Sequence, residues 1–152
     1  MSDGKKVVVK NRRAFHDYEI VEKFEAGISL LGPEIKSIRQ GTASINEAYA
    51  SFKKGEMWLL DMHIPEYEHR GYVTHEPRRP RKLLLKKREL KKIDATVARQ
   101  GLTIVPLMLY FVRGRLKVEI GIARGRKRHD KREAMKEKEA RKEARALEGR
   151  RR

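Results

Sequence analysis

The sequence predicts a mainly β fold: an antiparallel β-barrel with flanking α-helices, followed by a basic C-terminal tail that is disordered or becomes helical on binding. Three observations carry this reading. Short runs of alternating apolar and polar residues, separated by Gly- and Pro-containing turns, recur through the first 124 residues. They are interrupted by one small and one longer helical pattern, without the βαβ period of a parallel sheet. The last 28 residues, Gly125 to Arg152, carry 13 Lys/Arg against 6 Asp/Glu and no aromatic residue, so they bury too little surface to offset the entropy of ordering. The expected division is a barrel domain over 1–124 and a tail over 125–152.

From Asp17 to Ile28, the apolar residues Tyr18, Ile20, Phe24, Ala26 and Ile28 fall on one face of a period-two pattern, opposite Asp17, Glu19, Lys23 and Glu25. Val21 and Glu22 break the alternation, which predicts a bulge. Gly32 and Pro33 stop the strand and open a short helix over Glu34 to Gln40, burying Ile35 and Ile38 and ending at Gly41. The runs Ala48 to Phe52 and Met57 to Met62, joined by Lys53-Lys54-Gly55-Glu56, predict a hairpin. A further short strand is expected at Tyr67 to Val73. Pro77 and Pro80 keep Arg78, Arg79 and Arg81 extended. A helix over Lys86 to Gln100 follows, with Leu90, Ile93 and Val97 inward and Gly101 as its stop. Thr103 to Val112, apolar on both faces, then pairs through Arg113-Gly114-Arg115 with Leu116, Val118, Ile120 and Ile122. Pro106 demands an unpaired or bulged position in that strand, because proline cannot donate to the ladder. An oligonucleotide-binding-type barrel fits this pattern best.

Charge narrows the partners. The 152 residues hold 38 Lys/Arg and 21 Asp/Glu, a net charge of +17. Residues 1–124 retain +10 and the tail +7, so two differently built parts are both basic. This suggests nucleic acid gripped at two places. No apolar run approaches the ~20 residues of a spanning helix, and no bulky apolar face suits a membrane surface. Cysteine is absent, which excludes disulfides and thiolate metal sites and fits a reducing cytoplasm. The N-terminus lacks a signal-peptide hydrophobic segment. Residues 77–92 hold nine basic residues and one acid: Arg78, Arg79, Arg81, Lys82, Lys86, Lys87, Arg88, Lys91 and Lys92 against Glu89. Such repulsion is easiest to understand if phosphates supply the missing charge, through contacts that carry little sequence information.

Other candidates are local. Three successive leucines, Leu83 to Leu85, cannot all face inward, so one is offered outward. Glu25, on the polar face of its strand, is either a solvated carboxylate or an acceptor for base amino groups. Asn11, Arg12 and Arg13 form a polar turn or a flexible arm. His129, among basic tail residues, is either exposed or stacked on a base. The five histidines form no two-histidine helical pair and no recognisable metal spacing, and no phosphate-cradling loop or nucleophile elbow is present. No metal, cofactor or catalytic residue is expected. In the tail, Glu133 to Leu147 is rich in helix formers and poised to fold.

Five segments in register resemble the SsrA-binding protein (small protein B) family of bacteria: Asn11-Arg12-Arg13-Ala14, Phe24-Glu25-Ala26-Gly27, Gly32-Pro33-Glu34-Ile35-Lys36-Ser37, Arg81-Lys82-Leu83-Leu84-Leu85 and Gly125-Arg126-Lys127-Arg128-His129-Asp130-Lys131-Arg132. The resemblance implies the oligonucleotide-binding-type barrel and binding of transfer-messenger RNA, which rescues stalled ribosomes. It implies that Asn11, Glu25 and Leu84 bind the tRNA-like domain of that RNA. It also implies that Lys127 and Asp130-Lys131-Arg132 act on the ribosome, the tail entering the empty messenger channel while His129 stacks on 16S rRNA at the decoding centre. Elongation factor Tu with GTP and alanyl-tRNA synthetase are then indirect partners through the RNA, and the chain acts as a non-enzymatic monomer. This chain has Gly-Arg-Lys-Arg where Gly-Lys-Lys-Gln is familiar in that family, which keeps charge and adds planar donors. The rival readings are a structural ribosomal or general RNA-binding protein and a nucleic-acid-processing enzyme.

Overall fold

A computed structural model describes residues 4–66 and 75–125. The elements are β1 (Lys6–Lys10), α1 (Arg12–Asp17), β2 (Tyr18–Ile28), α2 (Gly32–Arg39), β3 (Tyr49–Lys53), β4 (Glu56–Leu60), β5 (Arg81–Leu84), α3 (Lys87–Gln100), β6 (Thr103–Val112) and β7 (Arg115–Gly125). The predicted strand at 67–73 and the tail beyond Gly125, with Lys127, His129, Asp130, Lys131 and Arg132, lie outside the described residues.

All pairings are antiparallel, and they close a ring in the order β6, β3, β4, β5, β2, β7 and back to β6. One edge of β6 is shared: Ile104 pairs with Ala50 of β3, and 108–111 pair with β1. β1 is a strand the sequence reading leaves unassigned, and α1 corrects its polar turn or flexible arm at Asn11, Arg12 and Arg13. Val8 and Val9 pack against the core, while α1 is nucleated by Asn11, whose Oδ1 accepts from the Ala14 N–H at 2.9 Å. The β3–β4 turn places Lys54 and Gly55 at φ 54° and 77°, the two left-handed residues of a tight hairpin. Gly101 ends α3 in the left-handed conformation at φ 61°.

The barrel interior is filled by Met57, Leu59, Leu83, Leu109, Val118, Ile120 and Ile122, joined by Ile38 of α2 and Ile93 of α3. A second cluster of Ala14, Val105, Leu107 and Ala123, with Phe15, Tyr18 and Ile20 against it, lies where α1 covers the outside of the sheet. This second layer explains why β6 is apolar on both faces. It also corrects the facing of β2. Ile20 is opposite Ala123 and Glu22 is opposite Ile122, so Val21 is an extra residue. That residue inverts the alternation: Tyr18 and Ile20 face α1, whereas Phe24, Ala26 and Ile28 belong to the barrel core. The β6 bulge falls at Leu107, directly after Pro106.

Candidate nucleic-acid interface

Antiparallel register gathers outward residues from four strands into one row. Tyr110 of β6 is opposite Lys117 of β7, Lys117 opposite Gly27 of β2, and Gly27 opposite Leu84 of β5. The adjacent row holds Met108, Glu119 and Glu25. At this crossing lies a depression of about 490 Å³ lined by Glu25, Gly27, Leu84, Leu85, Lys86, Glu89 and Lys117. Leu83 is fully buried and Leu84 is 52% exposed, so Leu84 is the leucine the strand turns outward. Gly27 lets it lie close: a Cβ there would stand 3.3 Å from Leu84 Cβ.

Glu25 occupies the wall of this depression. The Tyr110 hydroxyl donates to its Oε2 at 2.5 Å, reaching across β7 from two strands away. Burial first, then the bond to Glu25 and the charges of Glu25 and Glu119, push the Tyr110 phenol far above its ordinary pKa, so it remains a donor. Neither Tyr110 nor Lys117 is marked by the sequence as part of this site. Alternation shows that Lys117 and Glu119 share a face, but only the strand register puts them beside Glu25.

The basic cluster divides by partner. Arg81 is fully buried, with Nε donating to Glu34 Oε2 at 2.5 Å and Nη1 to the Met62 carbonyl at 2.8 Å. Arg79 Nη2 reaches the other oxygen of the same carboxylate. Burial alone would raise the Glu34 pKa, but bonds from Arg79, the Leu31 N–H and Arg81, with the Arg81 charge, hold it below the usual carboxylate range. The expectation that Arg81 meets phosphate is therefore corrected: it has no surface to offer, and its charge is met by a carboxylate 47 residues away in sequence. Lys82 is paired with Glu56 at 3.0 Å and Lys92 with Glu22 at 2.7 Å. Counting acids only within residues 77–92 misses these partners, because each comes from another element.

Lys86, Lys87, Arg88 and Lys91 are exposed and form no ion pair with another described residue. They crowd the first turns of α3, where the helix dipole disfavours cations, and Lys86 borders the depression. Such a placement is stabilised by an anion. Arg78 is separate: with Arg13, Ser44, Asn46, Glu47, Asp61 and His63 it lines a polar pocket of about 300 Å³. Arg13 also pairs with Asp17 at 3.3 Å, and Arg12 is exposed beside it on α1. The sequence-predicted RNA residues thus occupy two places, one around Glu25 and Leu84 and one around Arg13 and Arg78.

Asn11 belongs to neither surface. It is 1% exposed, its N–H bonds the Leu107 carbonyl at 2.8 Å, and its Nδ2 bonds the Pro106 and Ile45 carbonyls at 2.8 and 3.1 Å. It binds backbone groups at the β6 bulge and caps α1, so the expected direct RNA contact is corrected to a framework role. Among the described residues, no three His, Asp or Glu side chains are grouped to hold a metal ion. None of the described helices is long and apolar enough to cross a membrane.

The family model for the SmpB protein matches residues 8–149. The chain belongs to the SmpB family. An SsrA-binding protein of Sphingopyxis alaskensis is 56% identical over 138 residues, covering 90% of this chain and 86% of its own. One from Mycobacterium leprae is 50% identical, covering 92% of this chain and 88% of its own. A solved chain described as "tmRNA-SmpB: a journey to the center of the bacterial ribosome" has a TM-score of 0.65 and 49% identity, over 77% of this chain and 82% of that one. The SmpB match runs through both the barrel strands and the sequence of the basic tail.

Proposed function

We propose that this chain binds the tRNA-like domain of transfer-messenger RNA and brings it to stalled ribosomes for trans-translation, as an adaptor without catalysis of its own. The observation that carries the reading is the Glu25–Leu84 depression. A carboxylate repels phosphate and accepts from base amino groups, an exposed leucine offers apolar contact to a base or ribose, and Lys86 and Lys117 supply charge for the backbone. The exposed cations of α3 extend that charge. Family membership and the names of the relatives support the choice of RNA.

In this reading the second surface, around Arg13 and Arg78, adds charge for the RNA, and the tail serves the ribosome. Lys127, Asp130, Lys131 and Arg132 enter the empty messenger channel, and His129 stacks at the decoding centre. Aminoacylation by alanyl-tRNA synthetase and delivery by elongation factor Tu with GTP act on the RNA, in the cytoplasm.

The test is binding of the full chain to transfer-messenger RNA and to an ordinary tRNA across a salt series. Selective binding that Glu25→Gln weakens supports the reading. Equal binding to both RNAs with a steep salt slope would favour a general RNA-binding or ribosomal protein. For the tail, Lys131→Ala with Arg132→Ala is expected to leave RNA affinity within about twofold, since those residues lie outside the proposed RNA site, and to abolish peptide tagging in a reconstituted translation reaction. Normal tagging would defeat the assignment of the tail to the ribosome.

A further inference from the structure

The Glu25 carboxylate sits in an awkward position for a recognition group. It is directly opposite Glu119 on the neighbouring strand, an arrangement of like charges that a sheet normally avoids. Lys23 Nζ stands 3.6 Å from Glu119 Oε1, and that oxygen is buried without a hydrogen-bond donor. Lys86 and Lys117 line the same depression as Glu25. A mobile carboxylate here would swing onto a lysine, neutralising the acceptor and the phosphate-binding charge together. Tyr110 instead offers a donor that carries no charge. Its ring is 1% exposed, with Lys5 Nζ 4.8 Å from the ring centroid, so the phenol has little freedom to move. It engages Oε2 and leaves Oε1 without a donor among the described residues.

We propose that Tyr110 is a positioning residue for RNA recognition: its phenol holds Glu25 away from the neighbouring lysines and presents Oε1 to the base. The inference rests on the reading of Glu25 as an RNA contact. It adds that affinity depends on a buried residue that touches no RNA, because the carboxylate is ordered before the RNA arrives.

The experiment is a double-mutant cycle on the full chain with transfer-messenger RNA as the probe, thermal midpoints being measured alongside. Tyr110→Phe keeps the ring and removes the hydroxyl. It is expected to weaken binding about five- to tenfold, as for one charge-assisted bond, with the thermal midpoint lowered by only a few degrees. In a Glu25→Gln background the same change is expected to cost less than about twofold. Glu25→Asp, which keeps the charge but shortens the arm that reaches Tyr110, is a surface change that leaves the core intact. It is expected to weaken binding about as much as Tyr110→Phe. Additive effects in the cycle, or wild-type affinity in both Tyr110→Phe and Glu25→Asp, would overturn the role of Tyr110 while leaving Glu25 as a contact if Glu25→Gln binds weakly. Wild-type affinity of Glu25→Gln would remove the contact and the positioning role together.

Discussion

Two glutamates mark the difference between the α2–β5 junction and the outer row of the barrel. Glu34 is fully buried and receives Arg79, Arg81 and the Leu31 N–H, so its charge is answered within the protein. Glu25 is exposed, is held by a neutral phenol, and has beside it Lys86, open to solvent, and the half-buried Lys117. Both regions combine acids with the cations of one short sequence segment. What separates a structural network from a binding surface is where the counter-charge comes from, and that is decided by strand register and helix placement.

The largest expected effect comes from breaking the closed network. Glu34→Gln leaves Arg81 buried without its partner and is expected to cost about 3–5 kcal/mol, measured by urea unfolding, while the folded fraction keeps its choice of RNA. The pH dependence has a definite sign. The folded-state pKa of Glu34 is depressed, so its contribution is present above the ordinary carboxylate value of about 4.3 and fades as pH falls through the depressed value. The stability gap between wild type and Glu34→Gln should therefore narrow in acid. A gap that widened there would show that the carboxylate is not stabilised as an anion.

An intermediate effect is expected where charge is left open. Replacing Lys86 and Arg88 by alanine should weaken binding of all RNAs by a similar factor and flatten the logarithmic salt dependence by about one unit for each phosphate no longer neutralised. Thermal stability should hold or rise slightly, because cations leave the start of α3. A selective effect on transfer-messenger RNA alone would mean that these side chains read the RNA rather than its backbone.

The smallest expected effect tests the floor beneath Leu84. Gly27→Ala introduces a Cβ 3.3 Å from Leu84 Cβ, so the leucine must shift by a few tenths of an ångström. Selectivity for transfer-messenger RNA over tRNA should fall about two- to threefold, well under the 1.4 kcal/mol that makes a tenfold change, with little change in unfolding. No change in selectivity would make Leu84 a bystander.

Much of the barrel was legible because its signals are local. Pro106 announces the bulge, Gly101 the helix stop and Lys54-Gly55 the hairpin, each through a backbone constraint one residue imposes on its neighbours. The leucine triplet was legible too, since a strand has only two faces. What escaped was longer in range. The Val21 bulge was visible as a break in alternation, but its consequence, that Ile20 and Phe24 serve different cores, needs the α1 layer to be known. β1 was missed because Lys6 and Lys10 bracket three valines in a stretch too short and too charged to read as a strand without β6 beside it. The site was half legible: the family resemblance singles out Glu25 and Leu84, whereas Tyr110 and Lys117 become neighbours only through pairing. Arg81 was misread because its partner is remote, and Asn11 because a buried cap and an exposed polar turn have the same sequence.

β7 links two tasks by its length. Glu119 lies beside Glu25, and Gly125, six residues on, is opposite Tyr18 at the start of β2. At about 3.4 Å per residue the two points are about 20 Å apart along one hydrogen-bonded strand. Gly125, the last described residue, therefore lies at the α1 end of the barrel, away from the depression. A single hydrogen-bonded strand thus sets the offset between the surface proposed to hold RNA and the root of the segment proposed to probe the ribosome.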